Sequence, residues 1–214
     1  MKEKGIFISF EGPDGAGKTS VLRVIISRLQ PILEDRLLIT REPGGVNNRV
    51  AENIRNLVLS SDYDEIDSRT EVLLFAAARR QHLVQTIIPA LKEGKVVISD
   101  RYVDSSIAYQ GGGRQIGVKK VSDINFFATE GVLPDKTIYF NVRSEVGIER
   151  INSTRKNEIN RLDNAAIEFH KRVNKTYLSL VEVGDQRFEI VNAEESLEKV
   201  VDETWKIIKK IIGS

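Results

Sequence analysis

The segment GPDGAGKTS, residues 12–20, combines glycines, a lysine and a threonine in an order that suits phosphate binding. Gly12, Gly17, Lys18 and Thr19 match the pattern G-x-x-x-x-G-K-[ST]. Glycine permits positive φ and lets backbone N–H groups converge on a polyphosphate. The lysine adds a mobile positive charge for the terminal phosphates, and the threonine hydroxyl suits Mg²⁺. The pattern therefore predicts a phosphate-binding loop.

The residues on either side of this loop fit the same prediction. Residues 6–10 are an apolar run typical of a buried strand, and residues 21–29 have the apolar spacing of a helix. A helix that begins near Gly17 adds unpaired N–H groups and the positive end of its dipole. The bare pattern would occur by chance in about one chain in a hundred of this length. The flanking elements make chance a weaker explanation.

Asp100 and Arg101 directly follow another apolar run, residues 96–99. Ligands of parallel sheets bind beyond the carboxyl ends of the strands. At that edge Asp100 could hold Mg²⁺ beside Thr19, and Arg101 could clamp a second phosphate with two hydrogen bonds. An isolated Asp-Arg pair is more often a surface ion pair. Its position after a predicted strand, in a chain with a phosphate loop, favours a functional role.

Two further arginines accompany the turn that Pro43-Gly44-Gly45 predicts. Arg41 ends a predicted strand, and Arg55 lies on the next predicted helix. Both could face the same cleft as Arg101, or both could be solvent-exposed charges. The residues themselves leave these alternatives open.

Phe75 and Arg79 are four residues apart on a predicted helix and therefore share one of its faces. An aromatic residue there is usually core, but beside a guanidinium it could also support a planar base. The two histidines, His82 and His170, lack metal-ligand spacing, and we interpret them as structural.

The segment INSTRKNEINRLD, residues 151–163, is polar and basic. It could be a plain solvated loop. We favour a short lid that brings positive charge over a transferring phosphoryl group and excludes water, because a phosphotransferase otherwise risks hydrolysing its nucleotide.

The elements that must position these residues alternate along the chain. Strands are predicted at 5–11, 36–41, 95–100, 136–142 and 187–192, and helices at 17–29, 48–60, 68–92, 118–130, 143–153, 163–182 and 195–212. Alternation with apolar strands predicts an α/β fold, a five-stranded parallel sheet covered on both faces by helices. We predict one domain over residues 1–214.

Composition narrows the function classes. The 214 residues include 32 basic and 31 acidic ones, so the net charge of +1 gives no reason to expect a nucleic-acid partner. Cysteine is absent, which excludes disulfides and thiol–metal sites. Neither a signal peptide nor an apolar run of membrane-spanning length is evident, so we expect a cytoplasmic protein without membrane contact.

Taken together, these segments closely resemble bacterial thymidylate kinases, which are P-loop nucleoside monophosphate kinases. The resemblance covers essentially the whole chain. It rests on FEGPDGAGKT (10–19), TREPGG (40–45), RTEVLLFAAARR (69–80), DRYVDSSIAYQ (100–110), PDKTIYFNV (134–142) and RLD (161–163). It implies a P-loop kinase-type three-layer α/β/α fold with a lid. It also implies Mg²⁺-dependent transfer of the ATP γ-phosphoryl to dTMP for dTTP synthesis, and a homodimer.

The resemblance also implies roles for individual residues. Residues 12–20 would bind the ATP phosphates. These residues are Gly12, Pro13, Asp14, Gly15, Ala16, Gly17, Lys18, Thr19 and Ser20. Thr19 and Asp100 would hold the metal. Arg101, with Arg41 and Arg55, would hold the phosphate of dTMP. The remaining contacts to dTMP would come from Asp14 at the 3′-hydroxyl, Pro43 in a cis turn, Phe75 and Arg79 at thymine, Ser106 and Gln110 at the base, and Tyr109 against the sugar.

The catalytic arginine is expected in the lid. Some members of the family carry it in the phosphate loop after the acidic residue, where this chain has Gly15. The resemblance is therefore to the type whose lid supplies basic residues, with Arg155 as first choice and Arg161 as second. Lys18, Asp100 and Arg101 complete the expected catalytic set.

Three other functions compete with this one. A kinase for another nucleotide or for a deoxynucleoside is a near alternative, although the extra arginines favour an acceptor that already carries phosphate. A GTPase switch would need Asn-Lys-x-Asp, and the similar stretch at 174–177 lacks the aspartate. A nucleic-acid-stimulated ATPase is disfavoured by the balanced charge.

Overall fold

Five parallel strands form one sheet in the order β2-β3-β1-β4-β5. The strands are β1 (Ile6–Glu11), β2 (Leu37–Arg41), β3 (Val96–Asp100), β4 (Lys136–Asn141) and β5 (Phe188–Asn192). The structure is a computed structural model and describes residues 4–154 and 167–213. All five predicted strands and the parallel sheet are confirmed.

Helices cover both faces of the sheet. They are α1 (Lys18–Leu33), α2 (Arg49–Leu59), α3 (Ser68–His82), α4 (Ile88–Lys92), α5 (Val103–Ser106), α6 (Val118–Thr129), α7 (Ser144–Thr154), α8 (Ile167–Val183) and α9 (Leu197–Ile212). Two π-helical segments, Leu83–Ile87 and Ile107–Gly113, follow α3 and α5. Short 3₁₀ turns lie at Glu34–Arg36, Ser61–Tyr63 and Asp185–Arg187. Within the described residues, no helix is both long and apolar enough to cross a membrane.

The alternation of side chains along β1 assigns the two faces of the sheet. Ile8 and Phe10 belong to the hydrophobic cluster that includes residues of α1 and α9. Phe7 belongs to a second cluster with residues of α3 and α6. Because strand residues alternate between faces, one strand contributes to both cores. The three-layer α/β/α arrangement is therefore confirmed.

Three helical predictions differ from the structure in extent. The predicted helix 68–92 is α3, a π segment and α4 in direct succession. Helix α1 runs past its predicted end at residue 29 to Leu33, which is buried in the core, with Pro31 inside its last turn. Residues 151–154, the start of the predicted lid, belong to α7.

The helical stretch 103–113 was not predicted, because Gly111–Gly113 oppose a helix by intrinsic propensity. Packing explains these glycines. A Cβ at Gly112 would lie 1.9 Å from Thr176 Oγ1, and one at Gly113 would lie 2.6 Å from Phe169 Cε2. Glycine therefore permits the close approach of this segment to α8.

A second close approach joins α7 to the phosphate loop. A Cβ on Gly147 would lie 2.7 Å from the carbonyl oxygen of Asp14, and one on Gly15 would lie 2.1 Å from the carbonyl oxygen of Gly147. Gly15 also has a φ of 76°, a backbone conformation that residues with a side chain rarely adopt. The two glycines let the helix and the loop touch backbone to backbone.

We expect Gly147→Ala to lower the free energy of unfolding by about 1–3 kcal/mol, because the new methyl group has no room against the loop backbone. The sign is informative, since alanine is normally favoured over glycine inside a helix by roughly 1 kcal/mol. Urea denaturation measures the change. Glu149→Ala is the control, because Glu149 is exposed on the same helix, and its effect should stay within about 0.5 kcal/mol. Unchanged or increased stability of Gly147→Ala would contradict the tight contact.

Candidate active site

The phosphate-binding pattern forms a tight loop between β1 and α1. Gly12, Gly15 and Gly17 all have positive φ, at 144°, 76° and 80°. Helix α1 begins at Lys18, so its first N–H groups open toward this loop. The conformation explains why the pattern needs glycine at these positions. Together the loop and the helix N-terminus form an anion-binding region.

Lys18 is held over the loop in a buried position. Its Nζ donates to the carbonyl oxygens of Gly12 and Pro13, both at 2.9 Å. Burial, followed by the charge of Arg101, lowers the pKa of Lys18 to about 8, although three nearby carboxylates oppose this shift. An anion bound at the loop would favour the charged form of the lysine.

Arg101 contacts the loop directly from the end of β3. Its Nη1 donates to Gly12 O at 3.0 Å, and its Nη2 donates to Asp14 Oδ1 at 2.5 Å. The guanidinium also lies over the ring of Tyr109, with 5.0 Å between the guanidinium carbon and the ring centroid. The Tyr109 hydroxyl donates to Asp14 Oδ2 at 2.7 Å. Arg101, Asp14 and Tyr109 therefore fix one another.

The same contacts set the charge of Asp14. Burial alone would raise the pKa of this carboxyl, but the positive charges of Arg101 and Lys18 outweigh burial and hold the pKa below its usual value. Asp14 is consequently an ionised acceptor at neutral pH.

Asp100 has a carboxylate oxygen without a hydrogen-bond partner. Its Oδ1 is buried and accepts no hydrogen bond from the residues that the structure describes. Asp100 and Thr19 line the same cleft. A buried, unpartnered carboxylate oxygen in a cleft that a hydroxyl also lines offers the kind of oxygen donors that suit a hard divalent cation. The described residues contain no group of three or more acidic, histidine or cysteine side chains that could hold a metal on their own.

Two more arginines, Arg41 and Arg55, line the cleft on the side of β2 and α2. Arg41 Nη2 donates to Glu52 Oε2 at 2.9 Å, and Arg55 Nη1 donates to the Pro43 carbonyl at 2.8 Å. The pKa of Arg55 is lowered by burial and then by the nearby charge of Arg41. Two like charges held close together favour a bound anion. Both arginines line the cleft, and their role as anion ligands stays a prediction.

Arg79 is almost fully buried and surrounded by acceptors. Its Nε donates to Glu42 Oε2 at 2.6 Å, and both terminal nitrogens donate to Ser106 Oγ at 3.2 Å. It also bonds to Asn125 Oδ1 and, at 3.2 Å, to the carbonyl of Tyr102. This set of contacts fixes the guanidinium plane at the cleft wall.

Glu42 is further held by a histidine. His82 Nδ1 lies 3.1 Å from Glu42 Oε1, and His82 Nε2 lies 2.7 Å from Thr40 Oγ1. Burial of His82 in this network agrees with the structural role predicted for it. The peptide bond before Pro43 is cis, as the family resemblance implied.

Phe75 and Gln110 complete the wall near Arg79. Phe75 is buried in α3 but lines the cleft. Gln110 Nε2 donates to Glu71 Oε1 at 3.0 Å. This hydrogen bond fixes the Gln110 side chain and therefore the orientation of its amide oxygen. An aromatic face with fixed polar groups around it can bind a planar base.

The structure gathers most of the predicted residues in one cleft of ≈ 510 Å³ at the carboxyl edge of the sheet. The predicted residues that line it are Asp14, Gly15, Gly17, Lys18, Thr19, Ser20, Arg41, Pro43, Arg55, Phe75, Arg79, Asp100, Arg101, Ser106, Tyr109 and Gln110. Gly12, Pro13 and Ala16 belong to the phosphate loop but do not line the cleft. Arg155 and Arg161 lie outside the described residues.

Sequence reasoning missed several residues of the site. Glu42, Leu59, Tyr102, Ser105, Arg150 and Ile151 also line the cleft. Glu42 and Ser105 adjoin predicted site residues, so proximity in sequence was an available signal. Arg150 directly precedes the segment predicted as a lid; it lies on α7 and donates to the Ala193 carbonyl at 2.7 Å.

Known proteins resemble this chain over nearly its full length. The family model described as "Thymidylate kinase" matches residues 10–204. The thymidylate kinase of Leuconostoc citreum is 52% identical over 209 residues, covering 98% of this chain and 97% of the relative. That of Enterococcus faecalis is 53% identical over 205 residues, covering 96% of each. The crystal structure of thymidylate kinase from Ehrlichia chaffeensis superposes with a TM-score of 0.77 at 30% identity, covering 95% of this chain and 98% of the other.

These matches agree with the phosphate loop, with the arginines Arg41, Arg55 and Arg101, and with the cleft wall formed by Phe75 and Arg79. The family model spans most of the chain, and the relatives are matched almost end to end. The chain belongs to the thymidylate kinase family.

Proposed function

We infer that this chain is a phosphotransferase that moves the γ-phosphoryl group of ATP to dTMP, giving ADP and dTDP. The observation that carries this inference is the meeting of two anion-binding regions in one cleft. One is the phosphate loop with Lys18, and the other is the arginine group Arg41, Arg55 and Arg101. A nucleotide that donates phosphate and a nucleotide that accepts it need two such regions side by side.

The acceptor phosphate would be held by the arginine group. Arg101 lies between the phosphate loop and the arginines of the β2 side, so it can neutralise and orient the attacking phosphate oxygen. A guanidinium offers paired donors that match phosphate geometry. Because the transfer has a dissociative, charge-spread transition state, most of the rate comes from positioning and electrostatics.

The base and the sugar would be recognised by the wall opposite the loop. Phe75 provides an aromatic face, and Arg79 with Ser106 provides polar groups for the base edge. Tyr109 has its ring fixed by the hydrogen bond of its hydroxyl to Asp14. A fixed ring against the sugar leaves little room for a 2′-hydroxyl, which would select the deoxyribose.

The donor phosphates would be held by the loop and Lys18. Thr19 and Asp100 would hold Mg²⁺, and the unpartnered Oδ1 of Asp100 supports this assignment. Such an ion supplies positive charge that offsets the repulsion between two anionic nucleotides. Lys18 adds its own charge from a position fixed by two loop carbonyls.

The first experiment is a coupled assay of ADP release with MgATP and a panel of acceptors. We expect dTMP to be preferred over dUMP by about 10–200-fold, the range for one methyl group in an apolar pocket. The ribose analogue of dTMP and thymidine should be poor acceptors. Preference for another monophosphate would contradict the base assignment, and ADP release without any acceptor would indicate an ATPase.

Arg101→Ala should lower kcat/KM for dTMP by about 10³-fold or more, because an arginine of this kind contributes about 10³–10⁵ in rate. The affinity for ATP, measured by calorimetry, should change little. Arg143→Ala is the control, since Arg143 is a surface arginine paired with Glu194. Near-normal turnover of Arg101→Ala would exclude it as the acceptor clamp.

We also propose that the chain forms a homodimer through α2, α3 and α6. These neighbouring helices carry exposed apolar residues: Leu57, Leu73, Phe126 and Phe127 are 39%, 57%, 68% and 86% exposed. Exposed apolar residues of this size mark interaction surfaces when they cluster.

Sedimentation equilibrium tests the dimer. The wild type should sediment as a dimer, and Leu73→Glu should shift it toward monomer because the new charge would be buried at the interface. Ile32→Glu is the matched control, because Ile32 is similarly exposed but lies on α1, across the sheet. A monomeric wild type, or equal effects of both variants, would contradict the proposed surface.

A further inference from the structure

We propose that Glu11 is a positioning residue for Arg101, and that it sets the affinity for dTMP by orienting two hydroxyl groups on which the guanidinium rests. This role depends on the proposed function, since Arg101 is the residue assigned to the acceptor phosphate. Glu11 ends β1, is fully buried and does not line the cleft, so it acts through its neighbours.

The carboxylate of Glu11 accepts hydrogen bonds from three groups. Its Oε1 accepts from the backbone N–H of Tyr102 at 2.6 Å. Its Oε2 accepts from Ser105 Oγ at 2.6 Å and from Tyr177 Oη at 2.9 Å. The three donors come from the segment after β3, from α5 and from α8, so one carboxylate joins three parts of the fold.

The same two hydroxyl oxygens also support Arg101. Nη1 of Arg101 lies 3.0 Å from Ser105 Oγ and 3.3 Å from Tyr177 Oη. A guanidinium can only donate, so both oxygens must present lone pairs to it. Each hydroxyl has one proton, and the two oxygens lie 2.9 Å apart, so one hydroxyl could donate to the other. Ionised Glu11 competes with that arrangement and attracts both protons to its own side. The negative charge of Glu11 therefore fixes the two hydroxyls in the orientation that Arg101 requires.

A neutral side chain at position 11 cannot do this. A glutamine amide has one oxygen and one N–H₂ group. If the oxygen faces the two hydroxyls, the N–H₂ group faces the N–H of Tyr102, and the reverse orientation places donors against the hydroxyls. In either orientation, glutamine leaves the N–H of Tyr102 or the two hydroxyls without an acceptor. Arg101 keeps its contacts to Gly12 and Asp14, but the support beneath its Nη1 is held less firmly, which weakens its hold on the acceptor phosphate.

The charges around Glu11 are mixed. The titratable and charged groups that face it are Lys18 on α1, Arg101 and Tyr102 after β3, Asp104 on α5, Tyr139 on β4, Tyr177 on α8 and Arg187 in the turn before β5. Burial, followed by the charge of Asp104, raises the pKa of Glu11 to about 7, against the Ser105 hydrogen bond and the charge of Arg101. The support of Arg101 is thus complete above neutral pH and weakens as pH falls through this value.

The main test compares the wild type with Glu11→Gln by isothermal titration calorimetry at pH 8. We expect Glu11→Gln to bind dTMP about 10-fold or more weakly, the scale for losing a hydrogen bond to a charged group. The affinity for ATP should change far less. Equal loss of affinity for both nucleotides would indicate a general structural defect and overturn the proposal, and so would unchanged affinity for dTMP.

A pH series separates a positioning role from a packing role. The second ionisation of the dTMP phosphate, with a pKa near 6, also affects binding. Since this ionisation is common to both proteins, the ratio of their dTMP affinities removes it. We expect the ratio to fall toward 1 as pH decreases from 8 to 6, because wild-type Glu11 then becomes neutral like glutamine. A ratio that is constant with pH would contradict the role of the charge.

Two further variants keep the test independent of whether Glu11→Gln folds. Tyr177→Phe removes one of the two hydroxyls and should weaken dTMP binding by a smaller factor than Glu11→Gln. Asp104→Asn removes the neighbouring negative charge and makes Glu11 easier to ionise. In this variant, the pH dependence of dTMP affinity should have its inflection at a lower pH than in the wild type. Absence of both effects would overturn the proposal. If the wild type itself bound or phosphorylated no dTMP, the proposed function would fail first, and this outcome is distinct from the others.

Discussion

Arg101 is the side chain through which separate parts of the fold meet at the site. Its guanidinium contacts the phosphate loop at Gly12 and Asp14, the π segment at Tyr109 and helix α8 at Tyr177. Its backbone has a φ of 72°, a left-handed conformation that costs a non-glycine residue on the order of 1–3 kcal/mol. Hydrogen bonds from Arg101 N to Phe10 O at 2.9 Å and from Ser99 Oγ to Arg101 O at 2.7 Å hold this conformation. The unusual turn aims the side chain back toward the loop after β1.

Sheet topology explains why that turn and the phosphate loop lie side by side. Strand β1 is central and pairs with β3 on one side and β4 on the other. The connection after β1 leads to β2 on one side of the sheet, and the connection after β3 leads to β4 on the other side. The loops after β1 and β3 therefore emerge next to each other at the carboxyl edge, where open α/β sheets bind ligands. Tyr177, 76 positions after Arg101 in sequence, reaches the same place because α8 packs against the glycine-rich π segment.

The sequence is informative where a function depends on adjacent residues. The phosphate loop, the Asp100–Arg101 pair and the five strands could be predicted, because local pattern and strand ends define them. Glu11, Asn125 and Tyr177 could not be assigned roles, since their contacts join residues far apart in the chain. The helical stretch 103–113 was missed for a related reason. Its glycines oppose a helix locally, and only the packing against Thr176 and Phe169 explains them.

The cations of the cleft differ in what an incoming phosphate must displace. Lys18 and Arg55 rest on neutral carbonyl oxygens, whereas Arg101 rests on the carboxylate of Asp14. Bonds to a charged acceptor are about twice as strong as bonds to a neutral one, so Lys18 and Arg55 gain by exchanging a carbonyl for a phosphate. Arg101 gains less by exchange, because its Nη2 already donates to the Asp14 carboxylate and its Nη1 to Gly12 O, Ser105 Oγ and Tyr177 Oη.

Arg41 and Arg55 line the same cleft, and the charge of Arg41 acts on Arg55. Burial and then the charge of Arg41 lower the pKa of Arg55, while the carboxylates of Glu52 and Asp100 oppose this shift, so the positive charge of Arg55 is only partly balanced within the cleft. A phosphate bound near them would offset the repulsion, and because both side chains are already held by Glu52 and Pro43, little side-chain entropy would be lost on binding. A nucleoside without phosphate leaves the repulsion intact and gains only the base and sugar contacts. The positive charges of the cleft therefore suit an acceptor that already carries a phosphate group.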